Sequence, residues 1–442
     1  MSFKTDVNFR KKSLELLLEN IINYENDIIE ALHQDFKKPA FEAVITETNY
    51  VISDLKETIK NIQYWAKPKK VSASLLNFPS SDYIYNDPYG NVLIISPWNY
   101  PFQLALCPLV AAVAAGNSVT LKPSENTPNT SLIIAKIIRE TFDEKHVVAI
   151  LGDAGMSQQL LKQRWDYIFF TGSVNVGKII AKIAAENLTP VTLELGGKSP
   201  VIVDETANIK LAAKRIVWGK ILNAGQTCVA PDYVLVHQKV KKVFVENLKS
   251  EIKNALGDNP ELSLDFARII NSKNWERQLQ LIENQQIIIG GQSNRETLYL
   301  APTLLDEPRL ESLVMQEEIF GPILPIISYQ SKSDINKIIS SYEKPLSLYI
   351  FSEKKSFIDD ILSKYSFGGG CVNDVVIHLA NNNLPFGGVG NSGIGAYHGK
   401  LSFDIFSHKK SIVKRGNWLD LPLRYAPYGN KLKWVKKLLK WM

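Results

Sequence analysis

The stretch GQTCVAPDY, residues 225–233, places a cysteine in a small polar turn that opens on glycine and soon meets Pro231. A thiol that only fills a core usually sits in an apolar run, as Cys107 does in LALCPLV. A nucleophilic thiol must be reachable and electrostatically supported, and the polar turn favours that use for Cys228. Glu194, in LELGGKSP (193–200), falls inside an apolar strand-like run. A carboxylate there needs a partner or a raised pKa, so structural pairing with a lysine and service as a general base both stay open. Asn99, in PWNYP (97–101), carries an amide that could donate to a developing oxyanion, or simply makes a turn.

Three further stretches have nucleotide-binding chemistry as one of two readings. TGSVNVGK (171–178) follows the strand candidate YIFF and opens a helix, so Gly172, Ser173 and the helix amides could face a phosphate; a plain strand-to-helix turn is the alternative. In KPSENTP (122–128), Lys122 and Glu125 would lie at the carboxyl edge of a sheet, where ligands of α/β folds bind, or in a solvated loop. In QEEIFGP (316–322), Glu318 could hold ribose hydroxyls or end a solvated helix.

These residues need elements to position them. Leu14, Leu17, Leu18, Ile21, Ile28, Ile29 and Leu32 predict an amphipathic helix over 7–35, and a second helical pattern runs from Phe41 to Trp65, stopped by Pro68. SDYIYNDPYGNVLIIS predicts a strand, an Asp-Pro turn and another strand. SVTL, VVAIL, YIFF and VTLEL then alternate with the helical SLIIAKIIRE and VGKIIAKIAAEN, which predicts a parallel sheet with crossover helices. After Cys228 the alternation resumes with YVLVH, a helix near 239–255, IIIGG, LYLAP, LSLYIF and CVNDVVI, predicting a second α/β domain with its own sheet.

Bulk properties exclude several classes. A chain of 442 residues predicts two or three domains. Its three cysteines, Cys107, Cys228 and Cys371, show no pairing pattern, which argues for a reducing, cytoplasmic setting rather than a disulfide framework. No CxxC or His-x-x-x-His spacing occurs, so no metal site is expected. The first residues lack the apolar core of a signal peptide, and no run of about 18 apolar residues exists to span a membrane. The net charge is +6, but residues 431–442, KLKWVKKLLKWM, hold five lysines and no acid, so the body is nearly neutral and no nucleic-acid face is indicated.

Taken in order, PWNYP, KPSE, FTGSVNVG, LELGGKSP, GQTCVAPDY, EEIFGP and LPFGGVGNSGIGAYHGKLSFDIFSH resemble the NAD(P)-dependent aldehyde dehydrogenase superfamily. CVAPDY and the GAYHGK…FSH ending are similar to its class 3 branch, which acts on fatty and aromatic aldehydes. The resemblance runs to about residue 428 and implies an α/β fold of two Rossmann-like parallel-sheet domains with a small bridging arm used in dimerisation. The implied layout is a NAD(P)-binding domain over 1–80 and 94–208, a catalytic domain over 209–400, and an arm combining an 81–93 hairpin with 401–430. By the same resemblance Cys228 is the nucleophile, Asn99 and the Cys228 amide form the oxyanion hole, and Glu194 activates the hydrolytic water. Glu318 and Phe320 hold the nicotinamide end, Lys122 and Glu125 the adenosine ribose, and Gly172, Ser173 and Gly177 the pyrophosphate. The cofactor implied is NAD, with NADP as a second candidate that the Glu125 charge opposes. The substrate implied is a medium- or long-chain aliphatic or an aromatic aldehyde, and the assembly a homodimer.

Other functions fit less well. Relatives that pass the acyl group to CoA tend to lack the hydrolytic glutamate, so Glu194 counts against that chemistry. A cysteine hydrolase needs a histidine base, and none of His33, His146, His237, His378, His398 and His408 stands in a Cys–His signature. His378 is expected near the substrate entry. A binding protein that had lost its chemistry would have no need of Cys228, Glu194 and Asn99 together. On a helix, residues 431–442 sort Leu432, Trp434, Val435, Leu438, Leu439, Trp441 and Met442 from most of the lysines. That pattern suits a helix lying on the cytoplasmic face of a membrane, with packing on the protein body or a partner subunit as the alternative.

Overall fold

The run VLII at 92–95 is buried at every residue, and a strand buried on both faces needs a neighbour on each side. In the computed structural model, which describes residues 6–74 and 77–440, Asn91–Ile95 lies near the middle of a six-stranded sheet. Across that sheet run 393–394, 191–194, 167–171, 91–95, 118–122 and 147–149. All neighbours are parallel except the edge strand Gly393–Ile394. A second sheet of seven strands runs 287–289, 303–306, 323–329, 233–237, 200–203, 347–351 and 369–372, antiparallel only at the Ile287–Ile289 edge. This is the α/β architecture with two parallel sheets that the alternating pattern predicts.

Three expectations change. The 81–93 segment is not a hairpin. Ser80–Pro88 pairs along its whole length with Ser407–Arg415, and at its start with Lys69–Val71, in a separate three-stranded sheet. The physical reason lies in burial: 80–88 is half-buried throughout, whereas Asn91–Ile95 is core, so the turn at 89–90 carries the chain from one sheet into another. The arm also begins later than residue 401, because the helix Gly399–Ile405 sends Phe403, followed by Phe406, into the core of the first domain. The boundary at 208 moves back along the chain as well. Pro200–Val203 pairs with Tyr233–His237 and Ser347–Phe351 in the second sheet, so the chain changes sheets at 195–199.

Residues 7–35 form two helices, Val7–Asn23 and Glu25–Phe36, broken at Tyr24. The 41–65 pattern is helical throughout but contains a π turn at Val44–Thr48 between Ala40–Ala43 and Asn49–Trp65. At the other end, Lys431–Leu439 is a helix with Leu432, Trp434 and Leu439 exposed. Trp441 and Met442 lie outside the described residues. Among the described residues, no helix is long and apolar enough to cross a membrane.

Candidate active site

Register brings the chemistry to one edge. Ile95 pairs with Lys122 on one side and Phe170 on the other, and Thr171 pairs with Glu194. Four neighbouring strands therefore end together at the carboxyl edge of the first sheet, releasing PWNYP, KPSENTP, TGSVNVGK and LELGGKSP. The 222–232 segment, between the helix Ile209–Ile221 and the strand Tyr233–His237, meets that edge. The contact is direct: Asn99 Nδ2 donates to the Gln226 carbonyl at 3.1 Å.

Two cavities meet at Cys228. One, of about 290 Å³, is lined by Asn99, Thr171, Gly172, Ser173, Glu194, Gly196, Glu318 and Phe320 among others. The other, of about 230 Å³, is walled mostly by apolar and aromatic groups including Ile45, Tyr50, Leu104, Trp218, Val376 and Ile377. Among the described residues, only Leu104, Cys228, Phe386 and Tyr397 line both. A thiol at such a junction can be approached by two different molecules from opposite sides.

Glu194 ends the strand Val191–Glu194 and is buried, and neither carboxyl oxygen has a hydrogen-bond partner among the described residues. Burial pushes its pKa well above the ordinary carboxylate range. The pairing with lysine is absent. Lys198 instead stands 2.5 Å from Asp232 and donates to the carbonyls of Val314 (2.7 Å) and Glu317 (2.9 Å). Asp232 accepts the Ile319 N–H at 2.8 Å, and Arg277 donates to the Glu318 carbonyl at 3.1 Å. Side chains from LELGGKSP and GQTCVAPDY thus fix the backbone on both sides of Glu318.

The Glu318 carboxylate lies so close over Gly196 that a Cβ there would come within 2.0 Å of its Oε2. Burial and then the Asp232 charge push Glu318 up to about 8. The Cys228 thiol is pushed up to about 12, chiefly by burial, then by Glu318 and Glu194, while the amides of Cys228 and Val229 act the other way. Burial therefore disfavours the charged form of both Cys228 and Glu194, and a cation placed near them would favour it.

The phosphate-turn candidates separate by role. Ser173 lines the first cavity and caps the helix Val174–Glu186, its oxygen accepting the Val176 N–H. Gly177 does not line that cavity. A Cβ there would meet Leu195 at 2.6 Å, so this glycine lets the helix pack against the sheet. Lys122 is buried at the same sheet edge, 2.6 Å from the half-exposed Glu125, and neither lines either cavity. Phe320, at φ 49°, stands edge-on to Trp98 with ring centres 5.3 Å apart. Cys107 is core within Gln103–Ala115. Cys371 and His378 line neither cavity, but Ile377 and Leu379, on either side of His378, line the second. Sequence reasoning passed over Trp98, Tyr50, Tyr100 and Phe386 as wall residues, although Trp98, Tyr100 and Phe386 fall inside or beside the motifs it used.

The Aldehyde dehydrogenase family profile matches residues 3–412. The 4,4'-diaponeurosporen-aldehyde dehydrogenase of Staphylococcus aureus is 49% identical over 437 residues, covering 98% of this chain and 95% of that protein. A dimeric NADP-preferring aldehyde dehydrogenase of Canis lupus familiaris is 42% identical over 95% of this chain and 93% of its own. The substrate-bound structure of Staphylococcus aureus AldH superposes with a TM-score of 0.96 at 48% identity, covering 98% of this chain and 95% of that one. With profile and relatives both aligned almost from end to end, this chain belongs to the aldehyde dehydrogenase family.

Proposed function

We propose that the protein oxidises apolar aldehydes to carboxylic acids with a nicotinamide dinucleotide. The carrying observation is the position of Cys228 between two cavities of different character. The first fits a dinucleotide by its chemistry. It has helix amides capped by Ser173, a glycine close approach at 196, a carboxylate at Glu318 and an aromatic face at Phe320. The second fits an apolar chain with its aldehyde end at the sulfur.

In this reading the Cys228 thiol adds to the aldehyde carbon, giving a thiohemiacetal whose oxygen is held by Asn99 Nδ2 and the Cys228 amide. An oxidised nicotinamide bound in the first cavity would supply the two-electron acceptor and a positive charge. Loss of the carbon-bound hydrogen with its two electrons, and of the hydroxyl proton, leaves a thioester on Cys228. Glu194 takes a proton from the water that attacks it, and the acid leaves with the thiol restored. Glu318 and Phe320 orient the nicotinamide end. Gly172 and Ser173 face the pyrophosphate, Gly177 sets the helix that carries those amides, and Lys122 with Glu125 meets the adenosine ribose. The test is reduced-nucleotide formation with a homologous series from short aliphatic to long-chain and aromatic aldehydes, the aldehyde named for the Staphylococcus aureus relative included. Rates that rise with chain length support the apolar reading, and no reduction with any aldehyde removes it.

NAD is the preferred nucleotide in this reading, because Glu125 repels a 2′-phosphate while Lys122 is already neutralised by it. Glu125→Gln should raise kcat/KM for NADP relative to NAD by about tenfold, the size of one partly screened charge contact. An unchanged ratio would place Glu125 away from the ribose. We further propose a homodimer built through the strand pair 80–88 and 407–415, checked by light scattering. The tail is proposed to rest on the cytoplasmic face of a membrane, with exposed Leu432, Trp434 and Leu439 toward the acyl boundary and the lysines toward anionic headgroups. At about 1 kcal/mol per lysine, deletion of 431–442 should cut sedimentation with anionic vesicles by tenfold or more, and added salt should do the same to the full chain. Equal sedimentation with and without the tail overturns this part.

A further inference from the structure

Three buried ionisable side chains, Lys38, Glu42 and Glu47, lie behind the site and take no part in the steps above. Lys38 and Glu47 are fully buried, with Nζ 2.7 Å from Oε1. The other Glu47 oxygen accepts the N–H groups of Phe102 (3.1 Å) and Gln103 (2.8 Å), where PWNYP runs into the helix Gln103–Ala115. Lys38 Nζ stands 4.1 Å from the centre of the Tyr100 ring, and the Tyr100 hydroxyl lies 2.6 Å from Thr227 Oγ1, next to Cys228. Glu42 accepts the Asn223 N–H at 2.9 Å. Asn223 Nδ2 in turn donates to the carbonyls of Asn99 (2.8 Å) and Gln226 (3.1 Å).

Two features of the backbone give this layer a purpose. Asn223, Ala224 and Gly225 are all left-handed, at φ 54°, 52° and 73°. Two of them carry side chains, so this run before Cys228 is costly and persists only if its surroundings hold it. The second feature is the π turn. In an α-helix, residues five apart point about 140° away from each other. An i→i+5 turn at 44–48 brings Glu42 and Glu47 toward one side, where each reaches a different loop of the site.

We propose that Glu47, paired with Lys38 at 2.7 Å, is a positioning residue for the oxyanion site. It pins the amide end of 103–115, and with it Asn99, against the 222–228 loop that Glu42 holds. The inference rests on the reading of Asn99 and Cys228 given above. Glu47→Gln alone strands a buried lysine, so the test uses Lys38→Met/Glu47→Gln, which removes both charges at similar volume, and Glu47→Asp, which keeps the charge and shortens its reach. Both enzymes should bind NAD within about twofold of wild type by fluorescence titration and keep KM for the aldehyde, while kcat falls about 10- to 100-fold. In an Asn99→Ala background the same substitutions should cost less than about twofold more, because the route through Asn99 is already gone. Wild-type kcat in both variants overturns the proposal, and so does a loss that repeats in full in the Asn99→Ala background. An Asn99→Ala enzyme with undiminished kcat removes the reading on which it rests.

Discussion

Cys228→Ser should lose aldehyde-dependent nucleotide reduction by roughly 10⁴-fold or more while still binding the nucleotide. The substitution changes one atom. Its effect follows from the surroundings, which already push the thiol up to about 12 through burial and the nearby Glu318 and Glu194. An alcohol starts from a far higher pKa in the same place, and burial raises the pKa of Glu194, a carboxyl lining the same cavity. Among the described residues, no histidine lines the first cavity to take the proton. Gly172, Ser173, Glu318 and Phe320 are untouched, so fluorescence titration should find nucleotide affinity within about twofold of wild type. The wild-type thiol should also react with iodoacetamide at a rate that climbs about tenfold per pH unit below its pKa, since only the thiolate reacts. Retention of more than about one per cent of the activity in the serine enzyme would mean that another group attacks the aldehyde.

The residues of this site were legible where polar chemistry breaks an apolar pattern. Glu194 at the end of VTLE and Cys228 in a polar turn stand out because a buried strand or core turn has no use for them. What the local pattern does not carry is an address. PVIV at 200–203 and VTLE at 191–194 look alike as buried strands, yet they belong to different sheets, and only pairing partners far along the chain decide that. The supposed hairpin at 81–93 failed for the same reason: turn chemistry was present, but Ser80–Pro88 finds its partner more than three hundred residues later, at 407–415. Lys38, Glu42 and Glu47 were invisible for another cause. Two acids on a helical segment and a lysine in the loop before it have the pattern of a solvated face, and nothing in KKPAFEAVITE says that the opposing surface is the amide end of a helix and a left-handed turn. Buried charge is specified by what it meets, and that is a long-range property.

Glu194→Gln should turn a cycling enzyme into one that reduces about one nucleotide per site and then nearly stops. The first half of the reaction needs Cys228, Asn99 and the nucleotide, all unchanged. The second half needs a water deprotonated beside the thioester. Glutamine cannot accept that proton, so steady turnover should fall by about 10²- to 10⁴-fold. Intact-mass measurement on the stalled enzyme should show the acyl group on the chain. The pH profile supplies a second readout. Burial raises the Glu194 pKa, so the base form is scarce at low pH and wild-type kcat rises as pH passes that raised value; the glutamine enzyme lacks this limb. Stability moves in the opposite sense. A carboxyl whose pKa is raised by folding favours the native state below its unfolded pKa, and that contribution is lost as pH rises through the folded value. Glu194→Gln should therefore lose less stability than wild type toward alkaline pH. Steady turnover at the wild-type rate would move the base elsewhere, and Glu318, raised to about 8 and facing the same cavity, is the group to replace next. Added CoA separates hydrolysis from acyl transfer: release of acyl-CoA from the stalled variant alone is ordinary trapping of a thioester. Acceleration of the wild-type enzyme by CoA would mean that its natural acceptor is a thiol and that Glu194 serves some other purpose.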